Sequence, residues 1–158
     1  MSIAICPFSG DPITYGHIDI IERAASTFDK VIAAIGINPL KQYMFTIDER
    51  LQMAKTALAY LSNVEVDSYE GLLADFARQK SVHTIVRGIR NTEDFTYEWQ
   101  LHQINESIDA TLETLWLPCS TGKESISSTL IKQSWLQGDD ITWLAPPVVV
   151  NMLHTLKR

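Results

Sequence analysis

The sequence predicts an α/β fold: a five-stranded parallel sheet, doubly wound and flanked by helices, in one domain over residues 1–158. Two observations predict it. Short apolar runs alternate from end to end with segments of helical period, which is the pattern of repeated strand–helix–strand units with right-handed crossovers. The apolar runs are also continuous rather than alternating, as expected of strands covered by helices on both faces. No internal repeat, low-complexity tract or linker interrupts the pattern.

Residues 3–6 read as the first strand. Residues 16–28 follow as a helix with Ile18, Ile21, Ala25 and Phe28 on one stripe. Residues 31–37 form a second strand, broken by Asn38 and Pro39. Thr46 and Glu49 fit a capping box, in which hydroxyl and carboxylate each take an unpaired N–H of a helix start. Leu51, Ala54, Leu58 and Leu61 carry that helix onward. Residues 64–66, 82–86 and 112–117 read as further strands, and residues 72–80, 92–107 and 127–136 as the helices after them. Pro146 and Pro147, suited to a first helical turn, start a terminal helix.

Thirteen Lys and Arg stand against nineteen Asp and Glu, a net charge of −6. That balance disfavours nucleic acid and anionic membranes as partners, since both want a positive field. No apolar run approaches the roughly 18 residues of a membrane helix. The first residues, Met1 to Ala4, carry no basic segment or cleavage pattern. Cys6 and Cys119 lack metal-site or redox spacing. The expectation is a cytoplasmic protein without structural disulfides. A small anion needs only a few cations in one place, so the positions of Lys41, Arg87, Arg90, Lys123 and Lys132 say more than the sum.

In parallel sheets ligands bind beyond the carboxyl ends of the strands. After the first strand comes a Gly- and Pro-dense loop, residues 7–17, holding Ser9, Gly10 and His17 and delivering the chain to a helix start that favours anions. Lys41 follows the second strand. The stretch 69–73 after the third supplies apolar wall residues. After the fourth, Arg87 and Arg90 flank Gly88; guanidinium forks match phosphate oxygens, and glycine permits close approach. After the fifth, Ser127, Ser128 and Thr129 open a helix with Lys132 one turn inside. The glycine spacing there is not that of a P-loop. Together these groups converge on one crevice suited to a ligand with several phosphates.

These residues carry a resemblance. Thr14, Gly16 and His17 resemble the (H/T)xGH signature of the nucleotidyltransferase superfamily, and residues 126–132 (Ile-Ser-Ser-Thr-Leu-Ile-Lys) resemble its second signature. With Met44-Phe45-Thr46, the Arg87-Gly88-Ile89-Arg90 stretch and Asp94-Phe95-Thr96-Tyr97-Glu98, residues 3–157 are similar throughout to the bacterial phosphopantetheine adenylyltransferase family. The resemblance implies a Rossmann-like fold. It also implies transfer of the adenylyl group of ATP to 4′-phosphopantetheine, with Mg²⁺, giving dephospho-coenzyme A and pyrophosphate.

The resemblance implies site roles as well. His17 would stabilise charge on the α-phosphate, with Lys41, Arg90 and Ser128 completing the catalytic set. Ser9 and Gly10 would meet phosphate, and Lys41 would orient the nucleophile. Arg87 would contact the pantetheine phosphate and Arg90 the phosphates of ATP. Leu73, Leu101 and Asn105 would line the pantetheine arm. Gly88, the backbone near Asp94, Tyr97 and Glu98 would form the adenosine pocket. Ser127, Ser128 and Thr129 would hold the triphosphate. No side chain is assigned to the metal, which would arrive with ATP. A homohexamer and feedback by coenzyme A are family expectations.

The chain departs from the family at residues 7–10, Pro-Phe-Ser-Gly where the family reads Pro-Gly-Thr-Phe. A phenylalanine cannot cheaply supply a positive φ, so a different loop path is expected. Residues 123–125 also depart, and adenine packing there should differ. Two alternatives follow: a nucleotide- or coenzyme A-binding module with impaired catalysis, or a related nucleotidyltransferase with another phosphorylated acceptor.

Overall fold

The computed structural model describes residues 1–156; Lys157 and Arg158, within the domain read from the sequence, lie outside the described residues. Five strands, β1 (Ile3–Phe8), β2 (Lys30–Ile37), β3 (Val64–Glu70), β4 (Thr84–Ile89) and β5 (Glu113–Pro118), alternate with helices. The helices are α1 (Tyr15–Ala25), α2 (Ile47–Ala57), α3 (Leu73–Lys80), α4 (Thr92–Ile108), α5 (Ser128–Gln137) and α6 (Pro147–Thr155). Every strand pair is parallel, in the order β3-β2-β1-β4-β5. The chain winds outward from β1 through β2 to β3, then returns to lay β4 on the other side of β1. A crevice therefore opens at the carboxyl ends of β1 and β4, where the winding reverses.

The central strands serve two cores. Ala4, Cys6, Val31, Ala33 and Ile35 face one side with Ile18, Ile21, Met53, Ile131 and Leu153 of the helices. Ile5, Ile32, Ala34 and Ile85 face the other with Ala74, Phe76 and Ala77. Consecutive residues of β1 and β2 thus all go under cover, which is why those strands read as unbroken apolar runs.

Several boundaries differ from the sequence reading. β4 continues three residues past Val86, because the ladder to β5 runs through Arg87–Trp116 and Gly88–Leu117 to Ile89–Pro118. Arg87 and Gly88 therefore lie within a strand, not in a loop after it. β3 extends to Glu70 for the same reason, paired along β2 as far as Ile37. Helix α1 ends at Ala25, and Phe28 sits in the turn behind it, its N–H bonded to Ala24 O at 2.9 Å. Ser127 is the cap of α5 rather than its first residue, its hydroxyl accepting from Leu130 N. The Thr46–Glu49 capping box forms as read, Glu49 accepting from Thr46 N at 2.8 Å.

Gly88 has a packing reason rather than a turn. A Cβ built there would lie 2.7 Å from Cγ1 of Ile20, so its absence lets α1 close onto β4. Gly88→Ala is expected to destabilise by about 1–3 kcal/mol through overpacking. Urea melts should show it, and Ile20→Ala in the same chain should recover part of the loss.

Candidate active site

Two adjoining lobes occupy the crevice. The first, about 560 Å³, lies over the starts of α1 and α5; the second, about 600 Å³, runs between the ends of β2 and β3 and helix α4. Phe8, Ser9, Lys41, Arg87, Tyr97 and Glu98 line both.

Helix α1 starts at a capping box with an unusual third residue. Thr14 Oγ1 accepts from His17 N at 3.2 Å, and His17 Nδ1 accepts from Thr14 N at 3.1 Å. With Nδ1 taken as acceptor, the neutral ring carries its proton on Nε2. Burial first, and then the Arg90 and Arg87 charges, push the imidazole pKa down to about 4. At neutral pH His17 is an uncharged donor lining the first lobe. The Tyr15 N–H is spent on Leu144 O at 3.0 Å, which leaves Gly16 as the open N–H of that helix start. At α5 the Ser128 and Thr129 N–H groups have no intrahelical partner and open on the same lobe. Ser128 Oγ itself donates to Pro12 O at 2.8 Å, tying the two helix starts together.

Lys41, Arg87, Arg90, Lys123 and Lys132 all line the first lobe. Four of them are pinned by carboxylates. Glu98, 7% exposed, takes Arg87 through Nε and Nη2. Burial alone would lower the Arg87 pKa, and the Glu98 carboxylate more than offsets it, so the guanidinium is held above its ordinary range. Asp94 accepts from Arg90 Nε at 2.8 Å and Nη2 at 3.1 Å, and this hydrogen bonding holds its carboxyl below the ordinary range. Lys123 pairs with Asp19 at 3.6 Å, and Lys132 with Asp11. Lys41, on an exposed turn after β2, has no ion pair among the described residues.

The other residues singled out in the sequence divide as follows. Ser9, Gly88, Tyr97, Ser127 and Thr129 line the first lobe, and Leu73, Leu101 and Asn105 the second. Gly10 is placed otherwise. It is buried and lines neither lobe, because its left-handed φ of +60° turns the chain beneath the Phe8 ring. Phe8 ends β1 without a positive φ, and the left-handed position of this loop falls on Gly10. Glu98 lines both lobes and engages Arg87 there.

Three residues escaped the sequence reading. Asp11 accepts from Met44 N at 3.0 Å and Phe45 N at 2.9 Å besides holding Lys132. Asp19 accepts from Ser120 N at 3.0 Å and Ser120 Oγ at 2.6 Å, fastening the β5–α5 loop to α1. Arg50, 2% exposed, donates to Ser9 O at 2.8 Å and Gly36 O at 3.2 Å and lies 3.9 Å over the Tyr43 ring. A lone carboxylate amid Ile18, Ile20 and Ile21 was the available signal for Asp19; nothing comparable marked Arg50.

A parallel sheet with two anion-seeking helix starts and clustered cations suits a phosphate-bearing ligand, and the family profile described as cytidylyltransferase-like, which matches residues 9–134, gives the class as nucleotidyltransferase. The chain is 43% identical over 151 residues to a phosphopantetheine adenylyltransferase of Symbiobacterium thermophilum, covering 96% of this chain and 93% of that one. It is 42% identical to the Heliobacterium modesticaldum enzyme of that name, covering 95% and 89%, and 42% identical to that of Streptomyces coelicolor, covering 97% and 96%. The chain belongs to the phosphopantetheine adenylyltransferase family. In fold it also matches a Vibrio parahaemolyticus crystal structure provisionally assigned as a nicotinate-nucleotide adenylyltransferase. That match has a TM-score of 0.68 at 22% identity and covers 98% of this chain and 100% of the other.

Proposed function

We propose that the chain transfers the adenylyl group of MgATP to the phosphate of 4′-phosphopantetheine, releasing dephospho-coenzyme A and pyrophosphate. The observation that carries the reading is one cation-lined lobe joined to a second lobe walled by Leu72, Leu73, Leu101 and Ile104. The first suits phosphates, and the second a long, largely uncharged arm. A phosphate monoester oxygen attacks the α-phosphorus as the bond to the β-phosphate bridging oxygen breaks. The nucleophile is already anionic, so positioning and charge stabilisation suffice and no general base is required.

In this reading the Nε2–H of His17 donates to an α-phosphate oxygen as charge builds there. Lys41, on a turn and without an ion pair among the described residues, approaches the incoming and transferring phosphates. Arg87, at the junction of the lobes, takes the pantetheine phosphate, and Arg90 with the α5 start takes the leaving pyrophosphate. Asp11, Asp94 and Glu98 are each committed to a cation of the protein, which favours an ion delivered as the ATP complex with phosphate and water ligands. Coenzyme A, sharing the product's framework, would compete for both lobes. A homohexamer in the cytoplasm belongs to the same proposal. In its support, Phe95 and Trp99, 41% and 45% exposed, pack with Trp116 into an aromatic surface on α4 and β5.

Pyrophosphate release with MgATP and phosphopantetheine tests the reading. Turnover is expected with that acceptor and not with a pyridine mononucleotide or a polyol phosphate. A well-folded protein that binds ATP without turnover would instead support a binding module.

A further inference from the structure

The exchange of residue types around Ser9 leaves an aromatic ring that the proposed reaction does not use. The Phe8 ring packs on the His17 imidazole, centroids 5.0 Å apart and planes tilted by 40°. The same ring lies over Gly10: a Cβ there would come within 2.9 Å of Phe8 Cε2 and 3.3 Å of Cδ2. One side chain therefore closes a flank of His17 and fills the space that any larger residue at position 10 would enter.

We propose that Phe8 is a positioning residue for His17 and forms a matched pair with Gly10, the ring holding the imidazole so that its Nε2–H faces the cleft. The ring works through packing. Thr14 fixes Nδ1 from one side, and Phe8 limits rotation and water access from another. The charged groups facing the imidazole are Arg87 within β4 and Arg90 just beyond it; both disfavour its protonation, as does the cover that Phe8 adds. The inference rests on the reading of His17 as the group that stabilises the α-phosphate.

Phe8→Ala and Phe8→Leu, assayed for turnover and followed by NMR titration of His17, test it. In Phe8→Ala the His17 midpoint is expected to rise from about 4 toward the ordinary 6.5. Its kcat should fall about tenfold through misplacement, with KM for ATP changed less than about twofold. Phe8→Leu should recover most of the rate. In a His17→Ala background, Phe8→Ala should cause no further loss of kcat. An unmoved midpoint in folded Phe8→Ala, or a fully additive loss, overturns the proposal. Undiminished turnover in His17→Ala would instead defeat the reading of His17, while the midpoint still tests the contact. If Phe8→Ala fails to fold, Gly10→Ala decides the pairing. It should lower thermal stability more in the native chain than in Phe8→Leu, which lacks the ring atom that the new Cβ would meet. Equal losses overturn the pair.

Discussion

His17→Ala is expected to lower kcat by about 10²- to 10³-fold, the cost of removing one preorganised donor to a developing oxyanion. KM for ATP should change far less, because the donor matters most where charge builds in the transition state. The capping box sets the tautomer: Nδ1 is committed to the Thr14 N–H, so Nε2 carries the hydrogen. Burial and the flanking Arg90 and Arg87 depress the pKa to about 4, so this donor is neutral throughout the physiological range. Rate profiles should therefore show no inflection from His17 between about pH 6 and 8. The sign for stability follows from linkage. Below the ordinary value of 6.5 an unfolded imidazole takes a proton that the folded one refuses, so this contribution to stability is lost as pH falls from 6.5 toward 4. Acid melts of the native chain and of His17→Ala should diverge in that window, the native chain losing more. An equal loss of kcat and ATP affinity in His17→Ala would remove the transition-state role.

Much of this arrangement is legible in the residues, and the illegible parts share a cause. β1 and β2 announce themselves because both their faces are apolar, and strand–helix alternation then dictates a crevice at the strand ends. That the five cations gather at one end of the sheet follows from that topology. Sequence patterning misses what depends on a partner distant in the chain. Arg87 looked like a loop residue because a charge ended an apolar run, yet the β5 ladder carries the strand through it. Arg50 sits beside the capping-box Glu49, where a charge normally faces water. Its burial depends on the carbonyls of Ser9 and Gly36, 41 and 14 positions away. Gly10 carries the φ that only the folded loop reveals, and the phenylalanine two residues earlier owes its tolerance to that glycine.

Arg87→Met should be the most destabilising substitution at the site, by about 3 kcal/mol, because it strands a buried carboxylate. The value belongs at the low end of the range for broken buried pairs, since the Arg87 side chain keeps 22% of its surface exposed against 9% for Glu98. Arg87 also donates to Pro7 O through Nη1, so the substitution additionally loosens the end of β1 where Ser9 begins. The double substitution Arg87→Met with Glu98→Gln removes the stranded charge and should restore most of the stability in urea melts. Turnover should not return with it. The proposed role of Arg87, at the junction of the two lobes, is to hold the acceptor phosphate, and a thioether cannot do so. The KM for phosphopantetheine should rise in the refolded double variant while that for ATP stays close to the native value. Recovery of stability and turnover together would assign Arg87 to the scaffold alone. Loss of both KM values to the same degree would place its influence on the whole cleft rather than on the acceptor.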